Sequence, residues 1–248
     1  MAMLNRPLDS TSAREQTSTI TKVHLPELEV IQHIAVDAEP YDIEVTSDGY
    51  LYVNSGDGGN SFIKSFQTST GEPVDEEQIG FRSRISMAAD EETLYAVYAF
   101  TTPSEFEQNE IAGGVISWKN RTVYDGNNPV GFDVYISSDR ERVFTSSGYV
   151  LRAEDLSSEV NLEAADIWHM DFDLEMGRIY ATVQQNLISW DYRSLEEINR
   201  VWLGGRGGKV FARNRTLYVL SQTEYSRDTT YSIRRFDSGT FEPIAMAD

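Results

Sequence analysis

The sequence predicts an all-β chain built from repeated four-stranded units, and three observations carry that reading. Residues 41–71 read as three short strands joined by two turns, YDIEVTSDGYLYVNSGDGGNSFIKSFQTSTG. Weaker copies of this stretch recur down the rest of the chain. Aromatic residues make up 11% of the sequence, with 13 tyrosines, as expected where flat sheets pack face to face.

Taken in order, residues 1–17 are rich in Ser, Thr, Asp and Arg without periodicity, and read as a flexible arm. Residues 18–36 hold two apolar runs around Pro26-Glu27 and read as a leading half unit. In the first full repeat, 37–80, Tyr41, Ile43 and Val45 alternate with Asp42, Glu44 and Thr46, the period of a strand. Ser47-Asp48-Gly49 is turn chemistry, because Gly accepts positive φ and Asp tolerates the bend. Leu51-Tyr52-Val53 opens a second strand, residues 55–60 a loop, residues 62–67 a third strand and residues 74–79 a fourth.

The second-strand pattern returns as Leu94-Tyr95-Ala96, Val143-Phe144-Thr145, Ile179-Tyr180-Ala181 and Leu217-Tyr218-Val219, in repeats 81–125, 126–163, 164–204 and 205–248. Third strands are expected at 114–118, 149–152, 186–191 and 231–237. The copies are spaced 36 to 49 residues apart, the period of a propeller blade of four strands. The expected architecture is therefore a single β-propeller of five or six four-stranded blades over residues 18–248, the leading strands completing or adding a blade so that no edge stays open.

Ile43-Glu44-Val45-Thr46-Ser47-Asp48-Gly49-Tyr50-Leu51-Tyr52-Val53 resembles the strand-turn-strand core of the YVTN/NHL/YWTD-like β-propellers. Met170-Asp171-Phe172-Asp173, followed by Gly177-Arg178-Ile179-Tyr180, is similar to the YWTD version. The resemblance runs from about residue 20 onward and is one of blades. It implies a fold that hosts lactonases, lyases, receptors and scaffolds alike, and so no single activity.

Composition narrows the classes. The absence of cysteine excludes disulfides, a thiolate nucleophile and zinc-cysteine sites. A formal net charge of −19 repels phosphate backbones and anionic membranes, so neither nucleic acid nor a membrane surface is an expected partner. Only Lys22, Lys64, Lys119 and Lys209 are lysines among 21 basic residues, a pattern of high-salt proteomes as well as of an ordinary acidic, soluble surface. No apolar run approaches the ~20 residues of a membrane helix, and the first residues lack a signal-peptide core. The compartment is left open.

Aligning the repeats on their second strands places Asp42, Arg84, Asp133, His169 and Lys209 at one equivalent position, with Glu44, Ser86, Tyr135 and Asp171 two residues further on. One reading is a polar pit for a small charged or sugar-like ligand or for a peptide side chain; the other is that these groups satisfy one another and channel waters without any ligand. His169 and Asp171 share a strand face, where a carboxylate would orient an imidazole as general base. Glu44, Asp133 and Asp171 would then hold a divalent cation such as calcium. Asp57-Gly58-Gly59-Asn60 has the oxygens and glycines of a calcium loop without the EF-hand order, and Glu105, Glu107 and Glu110 read as a solvated charge run. Trp118 and Trp190 are expected to pack between blades.

Connections at 57–60, 101–113 and 221–230 are expected to project on one side together with the blade-to-blade loops, including 163–168 and 204–209. Arg82, Phe106, Phe132, Trp168, Arg206, Tyr225 and Arg227 would be exposed anchors there, because aromatics and Arg dominate binding hot spots. The functional expectation is a non-catalytic module without a cofactor, binding a protein or carbohydrate partner through that face. The alternative is a lactonase- or lyase-like enzyme using the metal and base above. A third reading, an interaction domain of a larger assembly, rests on the same face.

Overall fold

The computed structural model describes residues 2–5, 18–36, 39–55, 61–80, 83–98, 105–122, 130–225 and 228–245; side chains 2–5, 105, 224, 225, 228 and 229 lie outside that description. The described residues form strands and turns only, in one three-stranded and five four-stranded antiparallel sheets. Strands β1 (Ala2–Asn5), β2 (Ser18–His24) and β3 (Glu29–Val36) form the first sheet. The second holds β4 (Pro40–Val45), β5 (Tyr50–Ser55), β6 (Ser61–Gln67) and β7 (Pro73–Ile79), and the third β8 (Arg84–Met87), β9 (Thr93–Tyr98), β10 (Glu105–Ala112) and β11 (Val115–Arg121). The fourth holds β12 (Val134–Ile136), β13 (Arg142–Thr145), β14 (Tyr149–Arg152) and β15 (Ser158–Asn161). The fifth is β16 (Ile167–Asp173), β17 (Arg178–Val183), β18 (Asn186–Asp191) and β19 (Glu197–Trp202). The sixth is β20 (Arg206–Arg213), β21 (Thr216–Tyr225), β22 (Asp228–Asp237) and β23 (Pro243–Ile244). Every sheet is a meander in chain order. No helix of the described residues is long and apolar enough to cross a membrane.

The chain divides into two compact units, residues 1–127 and 128–248, with three sheets each, where the repeats suggest one continuous domain. In the first unit, Ile20, Ile34, Leu51, Val53 and Phe66 pack the first sheet on the second. Tyr52, Ile63, Ile85, Leu94, Ala96 and Ile111 pack the second on the third. In the second unit, Phe144, Val150, Met170, Ile179, Ile188 and Trp190 fill the next such layer, and Tyr180, Leu187, Val210, Leu217, Val219 and Phe236 the last. The repeated second-strand pattern is what these layers share: Leu51, Tyr52, Leu94, Tyr95, Val143, Phe144, Ile179 and Tyr180 are all at most 2% exposed.

Hydrogen bonds from side chain to main chain tie neighbouring sheets together. In the first unit, Asp42 Oδ2 accepts the Ile85 N–H at 3.2 Å and Glu44 Oε1 the Met87 N–H at 3.3 Å. In the second, His169 Nδ1 accepts the Val210 N–H at 3.3 Å and Asp171 Oδ2 the Ala212 N–H at 2.7 Å. The second strands answer with donors: the Asn54 amide to the Ser83 carbonyl, and the Thr182 hydroxyl to the Gly208 carbonyl at 2.5 Å. Further out, Ser65 Oγ donates to the Gly114 carbonyl at 2.5 Å and the Tyr180 hydroxyl to the Ser238 carbonyl at 3.1 Å.

Several expectations are corrected. Residues 2–5, read as part of a flexible arm, are β1, paired from Ala2↔Lys22 to Asn5↔Thr19. Residues 101–113, read as an insertion, contain β10, which pairs with β9 through Phe106↔Val97 and Glu110↔Thr93. Val115–Arg121 is consequently the outer strand, and Trp118 on it is 54% exposed, whereas Trp190 is buried as expected. Phe106 is buried against Tyr95 rather than exposed, and Glu107 is buried too. Residues 221–225 and 228–230 continue the β21–β22 hairpin, whose register runs to Tyr225↔Asp228. Residues 57–60 lie outside the described residues.

The Asp171 bond lends itself to a direct test. Asp171→Ala strips the acceptor from the N–H of buried Ala212 and should destabilise the protein by about 1–3 kcal/mol. Asp171→Asn keeps an acceptor and should lose less than Asp171→Ala. Urea unfolding, with unchanged m-values, reads the difference.

Candidate binding cleft in the second unit

The start of β16 carries a β-bulge. Ile167 pairs with Val183 and His169 with Thr182, so Trp168 is the extra residue against the partner strand. A bulge of this kind re-aims the side chain it inserts. The start of β20 is also irregular: Gly207 pairs with Ser221 and Val210 next with Val219. Between the two strands runs the β17–β18 turn, where Val183 pairs with Asn186 around Gln184 and Gln185. Gln184 has φ +51°, a backbone region usually given to Gly in such turns.

That turn is fastened from three sides. The Gln184 N–H donates to the Asp166 carbonyl at 3.2 Å, the Gly207 N–H to the Gln184 carbonyl at 2.7 Å, and the Leu203 N–H to the Gln185 carbonyl at 2.8 Å. Around it opens a cleft of about 540 Å³, lined by Asp166, Trp168, Gln184, Gln185, Trp202, Arg206 and Thr223, with Gly204 and Gly205 in its wall. The Arg206 guanidinium carbon sits 3.6 Å from the centroid of the Trp168 ring. Phe132 meets the same indole at 5.2 Å between centroids. Trp202, at the end of β19, is 67% exposed. Its indole N–H donates to Gln185 Oε1 at 3.3 Å.

Three of the residues expected as anchors, Phe132, Trp168 and Arg206, are thus joined in one stack. Arg82 and Arg227 lie outside the described residues, as does the Tyr225 side chain at the end of β21. Trp202, Gln184, Gln185, Asp166 and Thr223 were not singled out from sequence. The signals were a Gln-Gln pair between two strong strands and a Trp closing a polar strand; neither has a motif to mark it.

Four of the equivalent polar positions hydrogen-bond within the fold. Asp42, Glu44, His169 and Asp171 spend acceptor atoms on the main chain of the next sheet. Asp42 Oδ1 also accepts its own Ile43 N–H, Asp133 Oδ1 the Val134 N–H and Asp171 Oδ1 the Phe172 N–H. Arg84 and Lys209 are both exposed, each in the first strand of its sheet. Among the described residues no group of three or more His, Asp or Glu side chains is placed to hold a metal ion.

No hydrogen bond joins His169 to Asp171, each of which bonds β20 instead. The imidazole lies among Tyr135, at 6.0 Å, and Phe211, at 5.3 Å. Burial, and then the positive charge of Lys209, push it down to about 4. A group that protonates so low is a poor general base at neutral pH.

No protein-family model matches the chain, and no curated protein matches it significantly. Solved structures do. A protein of unknown function from Desulfotomaculum acetoxidans superposes with a TM-score of 0.68 at 16% identity, over 95% of this chain and 77% of that one. Kuenenia stuttgartiensis hydrazine synthase gives 0.68 at 14% identity, over 89% of this chain and 70% of that one. At these identities the likeness is one of fold alone.

Two outcomes are expected. The unfolded chain binds a proton at His169 near pH 6.5, while the folded chain resists until about 4. Stability drawn from the neutral imidazole is therefore complete above about 6.5 and lost as the pH falls toward 4, by up to about 3 kcal/mol. Unfolding curves across that window should fall less steeply for His169→Gln than for the wild type. Separately, a Cβ at Gly205 would overlap the Gln222 carbonyl oxygen. Gly205→Ala should lower the melting temperature by several degrees, on the order of 1–3 kcal/mol.

Proposed function

We propose that this protein is a non-catalytic binding module whose partner, protein or carbohydrate, seats in the Trp168–Arg206 cleft. We further propose that its sheets are the blades of a propeller-type scaffold of five or six blades, a reading supported by the meander order of every sheet and by the likeness to solved structures.

The observation that carries the binding role is the stack of Phe132, Trp168 and Arg206 beside an exposed Trp202. A guanidinium on an indole keeps its N–H groups available around the ring edge, and aromatic and arginine anchors dominate hot spots. The turn beneath is held by main-chain bonds, so little ordering cost falls on binding. The channel-metal enzyme draws no comparable support, because Glu44, His169 and Asp171 already bond the neighbouring sheet.

Trp168→Ala combined with Arg206→Ala should abolish capture of the partner while circular dichroism and the melting transition stay close to wild type. Capture that persists in the double variant would remove the cleft from consideration.

A further inference from the structure

We propose that the ligand of this cleft is a neutral saccharide, an inference that rests on the cleft being the binding site. The argument is one of charge and hydrogen-bond sign. Asp166 and Arg206 bring opposite charges to the same cleft, and Gln184 Nε2 donates to Asp166 Oδ2 at 3.4 Å. An anion drawn to Arg206 meets the Asp166 carboxylate, and a cation drawn to Asp166 meets the guanidinium. A sugar hydroxyl, both donor and acceptor, satisfies a carboxylate, a guanidinium and an amide without a charge penalty.

The apolar side of the cleft fits the same ligand. Trp202 lines the cleft and is 67% exposed, so its ring is open to a ligand there. Its indole N–H is held by Gln185 Oε1 at 3.3 Å and its ring edge lies 3.7 Å from where a Cβ on Gly204 would stand. The ring is therefore set before a ligand arrives. A pyranose carries a face of C–H groups for such a ring and a rim of hydroxyls for the amides. At about 540 Å³ the cleft lies within the size range of small-ligand sites. A peptide pairing along the outer strand β19 would use main-chain groups and would not need the opposed charges.

The test uses the whole chain and named probes: cello-, manno-, malto- and chito-hexaose as neutral ligands, hexagalacturonate as an anionic one, and a displayed random-peptide library. Titration by tryptophan fluorescence and calorimetry should show binding of at least one neutral hexaose. Trp202→Ala should weaken it at least about tenfold. Because the ligand is uncharged, affinity should change less than about twofold between about 0.1 and about 1 M NaCl. Binding of hexagalacturonate alone, or of peptides alone, that Trp202→Ala removes would overturn the saccharide assignment and leave the cleft standing. No binding by any probe, or binding untouched by both Trp202→Ala and Trp168→Ala, would overturn both.

Discussion

Within each unit the fold depends on side chains that hydrogen-bond the backbone of the neighbouring sheet. Apolar layers supply most of the burial, but apolar contact is non-directional and permits two sheets to slide. The bonds from Asp42 and Glu44 to Ile85 and Met87, and from His169 and Asp171 to Val210 and Ala212, fix the slide at one register. They also satisfy N–H groups in the first strand of the following sheet that would otherwise be shut away from water. The answering bonds from Asn54 and Thr182 to Ser83 and Gly208 lock the same junctions one strand further out. Two kinds of force thus divide the labour: dispersion and dehydration hold the sheets together, and directional bonds set how they meet.

The same bonds bear on the polar positions for which sequence reading weighed two meanings. Alternation located the first and second strands, and alignment on Leu-Tyr-Val type segments made Asp42, Arg84 and His169 equivalent; the sheets pair them with Asn54, Val97 and Thr182. Their polar character was legible; their partners were not, because main-chain N–H groups of another sheet leave no mark on the sequence. The strand β10 escaped because Glu105, Glu107 and Glu110 look like a solvated run, while Phe106 and Ile111 are the residues that pack. Fourth strands were hard to see for a further reason. The turns before them end on Leu156, Leu195 and Phe241 at φ of 60°, 59° and 62°, where a reader looks for Gly.

Those turns show how the chain accommodates the strain. Leu156 and Phe241 are 7% and 4% exposed, so burying the side chain offsets the cost of the left-handed backbone. Each turn also closes an N–H to the carbonyl four residues back, Leu156 to Arg152, Leu195 to Asp191 and Phe241 to Asp237, at 2.8 to 2.9 Å. The candidate cleft uses the same economy at a different place. Gln184 takes a strained turn position, and bonds from Gly207 and to Asp166 hold it. The bulge that turns out Trp168 lies directly beside His169, so one irregularity serves both the cleft wall and the junction between sheets.

The polarity of the junctions has a consequence for biosynthesis. In Asp42, Glu44, His169 and Asp171 the acceptor always belongs to the sheet nearer the N-terminus, and the N–H it receives to the sheet that follows. During synthesis the second and fifth sheets therefore emerge before their donors, carrying polar acceptors that water can hydrate until the next sheet follows. At both junctions the following strand brings N–H donors to acceptors that the earlier sheet already carries.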